Sequence, residues 1–574
     1  VPQKRDVVEF NGGGIIMQTK RLLLALFAGF MLVSTPVAHF AAAADTMSDA
    51  ALAGTVTSAE EGAMEGVLVS AKKAGSNITI TVVTDSQGRY RFPRAKLDAG
   101  QYAIRIRAVG YDLDGRVAAD VAAQNSTALD LKLRKTQDLA AQLTNAEWIA
   151  SMTGTQLQKN ALLGCVSCHT LERIVRSKYD TEGFMTTVQR MSTYANQSTP
   201  LRPQKRLTTR DTDLVGEDQA RVQRIQAQWL STINQSNGAG WDYPLKSFPR
   251  PSGRATQVVM TEYDLPRPTI EPHDVIVDAD GIAWYSSFGE QAIGKLDPKS
   301  GKVIEYPVPE PKKGSPTGLL SLRSDKEGNL WAGMMYQGAI MKFERKSEKM
   351  QVWNLPPELN RANTQINMTS PMTFDVDGRI WTQNNGVGGI HRVDLKTGTW
   401  ETWEPFKASP VGHNIYDVVG DSQNNVYFTD IGKEHIGRID AKTGKITLHE
   451  TPTKASGPRR AVMDAQDRLW FAEYRGNKVG MFDTKTEKFQ EWPMTTPWTQ
   501  PYDVALDKNG EVWTGSMLND RIVRLDPKTG KTVDYLLPRT TNVRRVFVDN
   551  STTPVTFWVG SNHGASIIKL EPLD

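Results

Sequence analysis

An aromatic residue just after an Asp-x-x-Gly turn, or its equivalent, recurs through the C-terminal half of the chain. It stands at Trp284, Trp331, Trp381, Tyr427, Trp470, Trp513 and Trp558, at intervals of 43 to 50 residues. An apolar strand runs into each turn, the aromatic lies on a second strand, and segments such as "IGKLDPKSGK" and "EYPVP" supply two more. Four short strands at that period form one blade of a β-propeller, because a blade buries its faces only by stacking on neighbours. The pattern predicts a seven-bladed propeller over residues 257–574. Blade seven ends at "SIIKLEPLD" without an outer strand, while "QVVMTEYDLP" (257–266) precedes blade one. That first strand is predicted to complete the last blade, leaving no open edge.

The 574 residues are too many for one ordinary domain, and the rest of the chain divides by composition. The formal charge of +4, with no long basic run, gives no reason to expect nucleic acid as a partner. Met17 opens a stretch with Lys20 and Arg21, an apolar run from Leu22 to Val33, and small residues ending at Ala42-Ala43-Ala44. That order is a secretory signal over residues 17–44 and predicts a soluble periplasmic product. Residues 1–16, beginning with Val, read as upstream sequence translated in error. No later stretch is apolar for long enough to span a bilayer as a helix.

Residues 45–135 carry alternating strands, "GVLVSAKK", "ITITVVTDSQGRYRF" and "GQYAIRIRAVGY", punctuated by Asp- and Gly-containing turns. The spacing predicts a β-sandwich of about seven strands. "TDSQGRYRF" followed by "LDAGQYAIRIRAVGY" resembles the carboxypeptidase regulatory-like, transthyretin-like domain family. The segment has no cluster of His, Cys or acidic residues, which predicts a structural or binding module.

Helical periodicity takes over at about Thr136 and predicts a small α-helical domain over 136–235, joined to the propeller by a Pro/Trp-rich linker at 236–256. It contains the only two cysteines, in "LLGCVSCHT": Cys165, Cys168 and, at once, His169. Two thiols at this spacing can each add across a haem vinyl group while the adjacent imidazole ligates the iron. A thioredoxin-like dithiol needs a βαβ context, zinc needs four N/S ligands where His169 is the sole His between residues 40 and 272, and a disulfide here constrains little. One covalent haem c is therefore expected, making this a cytochrome c-like domain. Met185 and Met191 both follow His169 as axial-ligand candidates. "RIVRSKYDTEGFMTTVQRM" resembles small cytochrome c domains of the quinohaemoprotein type, in which a helix ends in Arg-Met; that resemblance implies Met191, with Met185 the alternative.

Counting back from each propeller turn places His273, Leu320, Ser370, Tyr416, Arg459, Tyr502 and Arg544 at the entry to the inner strands. Ser287, Met334, Asn384, Asp430, Glu473, Ser516 and Ser561 leave the second strands on the same face, around the funnel. Asn384, Asp430 and Glu473 lie on successive blades and suggest an arc of oxygen ligands for a divalent cation. Arg459, Arg460, Arg544 and Arg545 suit a small polar or anionic ligand, with Tyr416 and Tyr502 beside them. The competing expectation is a water-filled funnel whose charges pair with one another. His391, His413, His435, His449 and His563 are scattered and read as surface or structural residues.

"DADGIAWYSSFGEQAIGKLD" and "WFAEYRGNKVGMFD" resemble the virginiamycin B lyase (streptogramin lyase) family over about 255–574. The resemblance implies elimination on a cyclic depsipeptide ester by a His base, with glutamates holding magnesium. Glu271-Pro272-His273 matches its Glu-Pro-His motif, but Ser287 stands where the next glutamate is expected. Glu473 in "WFAE" keeps that glutamate on another blade, where Arg459-Arg460 replaces the His. Three functions follow as expectations. The first is an exported electron-transfer cytochrome that meets a redox partner protein and is coupled to oxidation or binding at the funnel. The others are a carbon–oxygen lyase using His273 and Glu473, and a non-catalytic binding or sensing protein.

Overall fold

In the computed structural model the described residues are 50–210, 212–371 and 378–574. The expected upstream stretch 1–16 and signal 17–44 lie outside them. In four of the repeats the recurring spacing has a direct physical cause. Asp278 Oδ1 accepts the backbone N–H groups of Asp280 and Ile282 at 2.9 and 3.1 Å, and Oδ2 accepts Trp284 Nε1 at 2.7 Å. One carboxylate thus closes the turn and pins the indole that begins the next strand. The same indole bond, at 2.9 Å, joins Trp331 to Asp325, Trp470 to Asp464 and Trp513 to Asp507.

Each repeat is an antiparallel sheet, as in Pro272–Val277, Ala283–Ser287, Ala292–Leu296 and Val303–Pro307 of blade one. Six such four-stranded sheets stand alone, and a seventh is completed from the front of the propeller segment. Val258–Asp264 pairs with Ser566–Pro572, from Val258 opposite Pro572 to Asp264 opposite Ser566. Its other edge pairs with Ile78–Val83 of the N-terminal domain, from Val259 opposite Val82 to Tyr263 opposite Ile78. Blade seven and one sandwich sheet are therefore a single eight-stranded sheet. Lys72–Asp264 (2.5 Å) and Lys96–Glu571 (2.6 Å) ion pairs bridge the same seam.

The N-terminal domain is a sandwich. One sheet holds Ile78–Val83, Leu68–Lys73, Gly100–Arg107 and Val117–Val121; the other is built on Ala50–Ser58. Between them lie Leu52, Val69, Tyr90, Phe92, Tyr102 and Ile104, all buried. Helices Asn145–Ser151 and Gln156–Cys165 open with capping boxes, Thr144 with Glu147 and Thr155 with Gln158. Thr181–Ser192 and Gly216–Ile233 complete a helical layer whose apolar side is continuous with the funnel mouth: Trp148, Leu162, Val166 and Phe184 share one buried cluster with Phe288, Met335, Tyr416 and Tyr502. The Pro/Trp-rich segment is packed as well. Trp241 lies 4.9 Å from Trp148, and Phe248 N–H donates to Glu147 Oε1 at 2.6 Å. Among the described residues no helix is long and apolar enough to cross a membrane.

Asp507→Ala should lower the unfolding free energy by about 2 kcal/mol, because the Trp513 indole N–H, fully buried, loses its acceptor. In a Trp513→Phe background the same change should cost less. Equal losses in urea titrations of both backgrounds would show that the indole bond contributes nothing.

Candidate functional site

Every blade shifts register just inside its inner strand, as between Pro272 and Asp274, Pro458 and Ala461, or Pro501 and Val504. Such a bulge sets two residues against one on the partner strand and re-aims their side chains, so pairs of residues rather than single ones serve the funnel. The pairs are His273-Asp274, Tyr416-Asp417, Arg459-Arg460, Tyr502-Asp503 and Arg544-Arg545. In blades two and three the register corrects the counted positions. Leu320 pairs with Gly333 and Ile366 with Asn384, so Ser321 and Asn367 enter the funnel in place of Leu320 and Ser370, and Gly333 replaces Met334.

The second residues of the pairs form a buried charged ring. Arg460, 1% exposed, reaches Asp274 at 2.7 Å and Asp503 at 3.6 Å. Arg545 lies 3.4 Å from Asp503, and Arg323 pairs with Asp417 at 2.7 Å. Asp274, Asp417 and Asp503 also accept backbone N–H groups of Leu322, Ala461 and Val546, tying adjacent blades together. Burial opposes the charge on Asp274, but Arg460 beside it holds its carboxyl well below the usual range.

The first residues of the pairs form a ring of different chemistry. His273, 0% exposed, shares Nε2 with Tyr502 OH at 2.9 Å, and Tyr502 OH meets Tyr416 OH. Arg459 has no carboxylate partner among the described residues. Its guanidinium lies over Tyr502 (3.7 Å), Tyr474 (4.5 Å) and Tyr416 (5.0 Å) and donates to Met517 sulfur at 3.1 Å. Arg544 stands over Phe288 at 4.5 Å. Burial pushes His273 down to about 3, so the imidazole is neutral at pH 7. Burial also raises Glu271 to about 8 despite Arg544 nearby. Gly289 leaves the room Glu271 needs: a Cβ there would stand 2.5 Å from Oε1.

The helical layer covers this ring, and the cysteine turn is part of the cover. Arg544 Nη2 donates to Ser167 O at 2.7 Å, Asn542 Nδ2 to Val166 O at 3.1 Å, and His563 Nε2 lies 3.3 Å from Ser167 O. On the neighbouring blade-one side, Gln204 bridges Gly289 O (2.9 Å) and Thr317 N–H (2.8 Å). The two thiols are free and half-buried on one turn, where Cys168 N–H donates to Cys165 O at 3.2 Å. Burial pushes Cys165 up to about 12 and Cys168 to about 11, the opposite of the acidic thiol a disulfide-exchange motif requires. His169 Nδ1 lies 2.9 Å from Thr170 O, which fixes the ring and leaves Nε2 for a ligand. This donor set fits covalent haem.

Other expected residues are placed as follows. Met191 is 39% exposed on the last turn of Thr181–Ser192, whereas Met185 on the same helix is buried in the shared cluster. Asn384 accepts from Gln365 N–H at 3.0 Å and donates to Leu359 O at 3.3 Å, within its own blade. Asp430 accepts from Asn414 and Gly432 N–H groups and approaches His413 and His435. Glu473 is 0% exposed, and neither oxygen has a hydrogen-bond partner among the described residues. Asn384 and Asp430 are thus committed within their own blades rather than joined in an oxygen arc. His413 and His435, which read as scattered in the sequence, converge on Asp430. Their separation of 22 residues spans a whole inner hairpin, so only the blade register brings them together.

A capped seven-bladed funnel built from Asp-x-x-Gly/Trp repeats defines the class of protein. The chain belongs to the virginiamycin B lyase family, whose model matches residues 252–525 and 403–571. A carboxypeptidase regulatory-like domain matches residues 51–134. Among solved structures, a streptogramin B lyase is 23% identical with a TM-score of 0.49, covering 56% of this chain and 99% of that one. A catalytically inactive virginiamycin B lyase from Staphylococcus aureus with quinupristin is 23% identical with a TM-score of 0.47, covering 54% and 98%. No curated protein matches the chain.

Burial raises the Glu473 carboxyl from 4.5 to about 9, with Glu491 adding to the effect. The folded state then binds a proton that the unfolded state releases, so stability falls as pH rises from about 4.5 towards 9. Glu473→Gln should remove that dependence, on the order of 1 kcal/mol per pH unit. Urea midpoints at pH 5 and pH 9 should converge in the variant, and an unchanged slope would show that Glu473 is ionised in the fold.

Proposed function

We propose that this chain is an exported redox protein in which haem c, attached through Cys165 and Cys168 and ligated by His169, sits in the helical cap of a lyase-family propeller and exchanges single electrons with a partner protein. What carries the proposal is the 165–169 turn, with two free thiols and an imidazole whose Nδ1 is already tied to Thr170 O. Bound haem would supply reversible one-electron chemistry at iron. The chain's own contribution would be to fix the His169 ring, to offer the thioether of Met191 or Met185 to the iron, and to seat the turn on Arg544, Asn542 and His563. Arg459 and Arg544, without carboxylate partners among the described residues, favour an anionic group or an acidic partner near the mouth. A periplasmic location follows from c-type attachment and from the expected signal.

Carbon–oxygen lyase activity is the second reading, and the comparisons favour it over electron transfer: the lyase family model spans the propeller, while neither family model reaches residues 135–251. His273 is neutral and so free to accept a proton, but the burial that lowers it to about 3 makes it a weak base. Against it, Nε2 is shared with Tyr502 and Ser287 stands in the place of a glutamate. The helical cap also covers the ring that a cyclic depsipeptide would have to reach.

Protein matured in a haem-loading periplasm should show a reduced-minus-oxidised cytochrome spectrum, and the colour should stay with the denatured chain. Cys165→Ala/Cys168→Ala should lose it; a colourless wild type would overturn the haem assignment. Among single variants, Met191→Ala should alter the low-spin spectrum and Met185→Ala should not. Opening of a depsipeptide lactone by wild type, abolished at least 100-fold in His273→Ala, would put the lyase reading ahead.

A further inference from the structure

Blade four holds a cluster that neither redox nor lyase chemistry uses. His413 Nδ1 lies 2.7 Å from Asp430 Oδ2, and His435 Nδ1 approaches the same oxygen at 3.4 Å. All three donor atoms lie within 4.8 Å of one another. Asp430 is fully buried, His413 is buried, and His435 is half-buried.

The local chain orients these groups. Asp430 Oδ1 is occupied by the N–H groups of Asn414 at 2.8 Å and Gly432 at 3.1 Å, which aims Oδ2 at the two imidazoles. Phe406 stacks on His413 with ring centres 3.8 Å apart and an interplanar angle of 11°, fixing that ring. Such outer contacts position metal ligands and set their affinity. One oxygen serves only His413 well, so His435 Nδ1 is a buried polar atom without a hydrogen-bond partner. A shared cation would satisfy all three groups at once, whereas a second N–H donor on the same oxygen is left with a long 3.4 Å contact from His435.

We infer that His413, Asp430 and His435 form a binding site for a first-row divalent transition-metal ion of the Zn2+ class, separate from the cysteine turn and from the ring of His273, Tyr416, Arg459, Tyr502 and Arg544. Two imidazoles and one carboxylate favour such an ion over magnesium or calcium, which take oxygen ligands. Bonds of about 2.0–2.2 Å require donors roughly 3.3–3.5 Å apart. The His435–Asp430 separation already has that value, and the closer His413 contact opens as the ion enters. Three protein donors leave a fourth position for water or a small anion. Residues 431–435 are half-exposed and give access. Glu434 and Glu450 add negative potential near His435, while Arg475 donates to Gly432 O at 3.2 Å.

Zinc sulfate is the probe. Purified full-length protein, loaded with zinc and desalted, should retain one zinc per chain that His435→Gln and Asp430→Asn each bind at least tenfold more weakly by calorimetry. His435→Gln alters a half-exposed side chain and should keep the native circular dichroism spectrum. The zinc-dependent rise in Tm seen for wild type should be absent from it. His449→Gln on the same blade and Cys165→Ser/Cys168→Ser should both retain the zinc. Retention by both His435→Gln and Asp430→Asn, loss in the cysteine variant, or no binding to wild type would each overturn the assignment.

Discussion

The strand Val258–Asp264 is the constraint on which the rest of the molecule depends. Its backbone completes blade seven on one edge and joins the sandwich on the other, so a single strand closes the ring and fuses it to the N-terminal domain. An unpaired blade edge would be a template for association, and here none is left on that strand. Tyr263, stacked on Trp558 at 6.4 Å, locks the strand side-on as its hydrogen bonds lock it edge-on. Because the strand comes just after the Pro/Trp-rich segment, closure also holds the helical layer over the funnel mouth.

With the mouth covered, the funnel divides by depth into two chemistries. The inner ring pairs Arg460 and Arg545 with Asp274 and Asp503, charges that are too deeply buried to remain unless they compensate one another. The outer ring carries His273, Tyr416, Arg459, Tyr502 and Arg544, where arginines rest on aromatic faces instead of carboxylates. Excess positive charge therefore accumulates at the level of the cysteine turn. Cys168 feels both Arg544 and Glu271, which makes the cap and the funnel one electrostatic unit.

Much of this was legible in the sequence. The Asp-to-Trp spacing is local, set in four of the repeats by one carboxylate bridging a turn and an indole six residues on, so the recurrence reveals seven blades without any knowledge of their packing. The sandwich was equally legible from period-two alternation and turns. The entry positions of blades two and three were not. There the bulge shifts Ser321 and Asn367 into the funnel, and a shift of one residue in a strand changes which side chain points inward without changing composition. The cysteine turn was visible as chemistry, but its seating on Arg544, Asn542 and His563 was not, because those partners are more than 370 residues away.

The sequence by itself determined the elements that depend on near neighbours: blades, turns, capped helices, and a pair of thiols beside an imidazole. Tertiary structure alone decided which of the many polar residues meet. It put His413 and His435 on one oxygen of Asp430, kept Asn384 apart from them, and left Glu473 without a hydrogen-bond partner. The physical reason is that a propeller converts separations of tens of residues into contacts through strand register and blade stacking, and neither quantity is written in any local stretch of the chain.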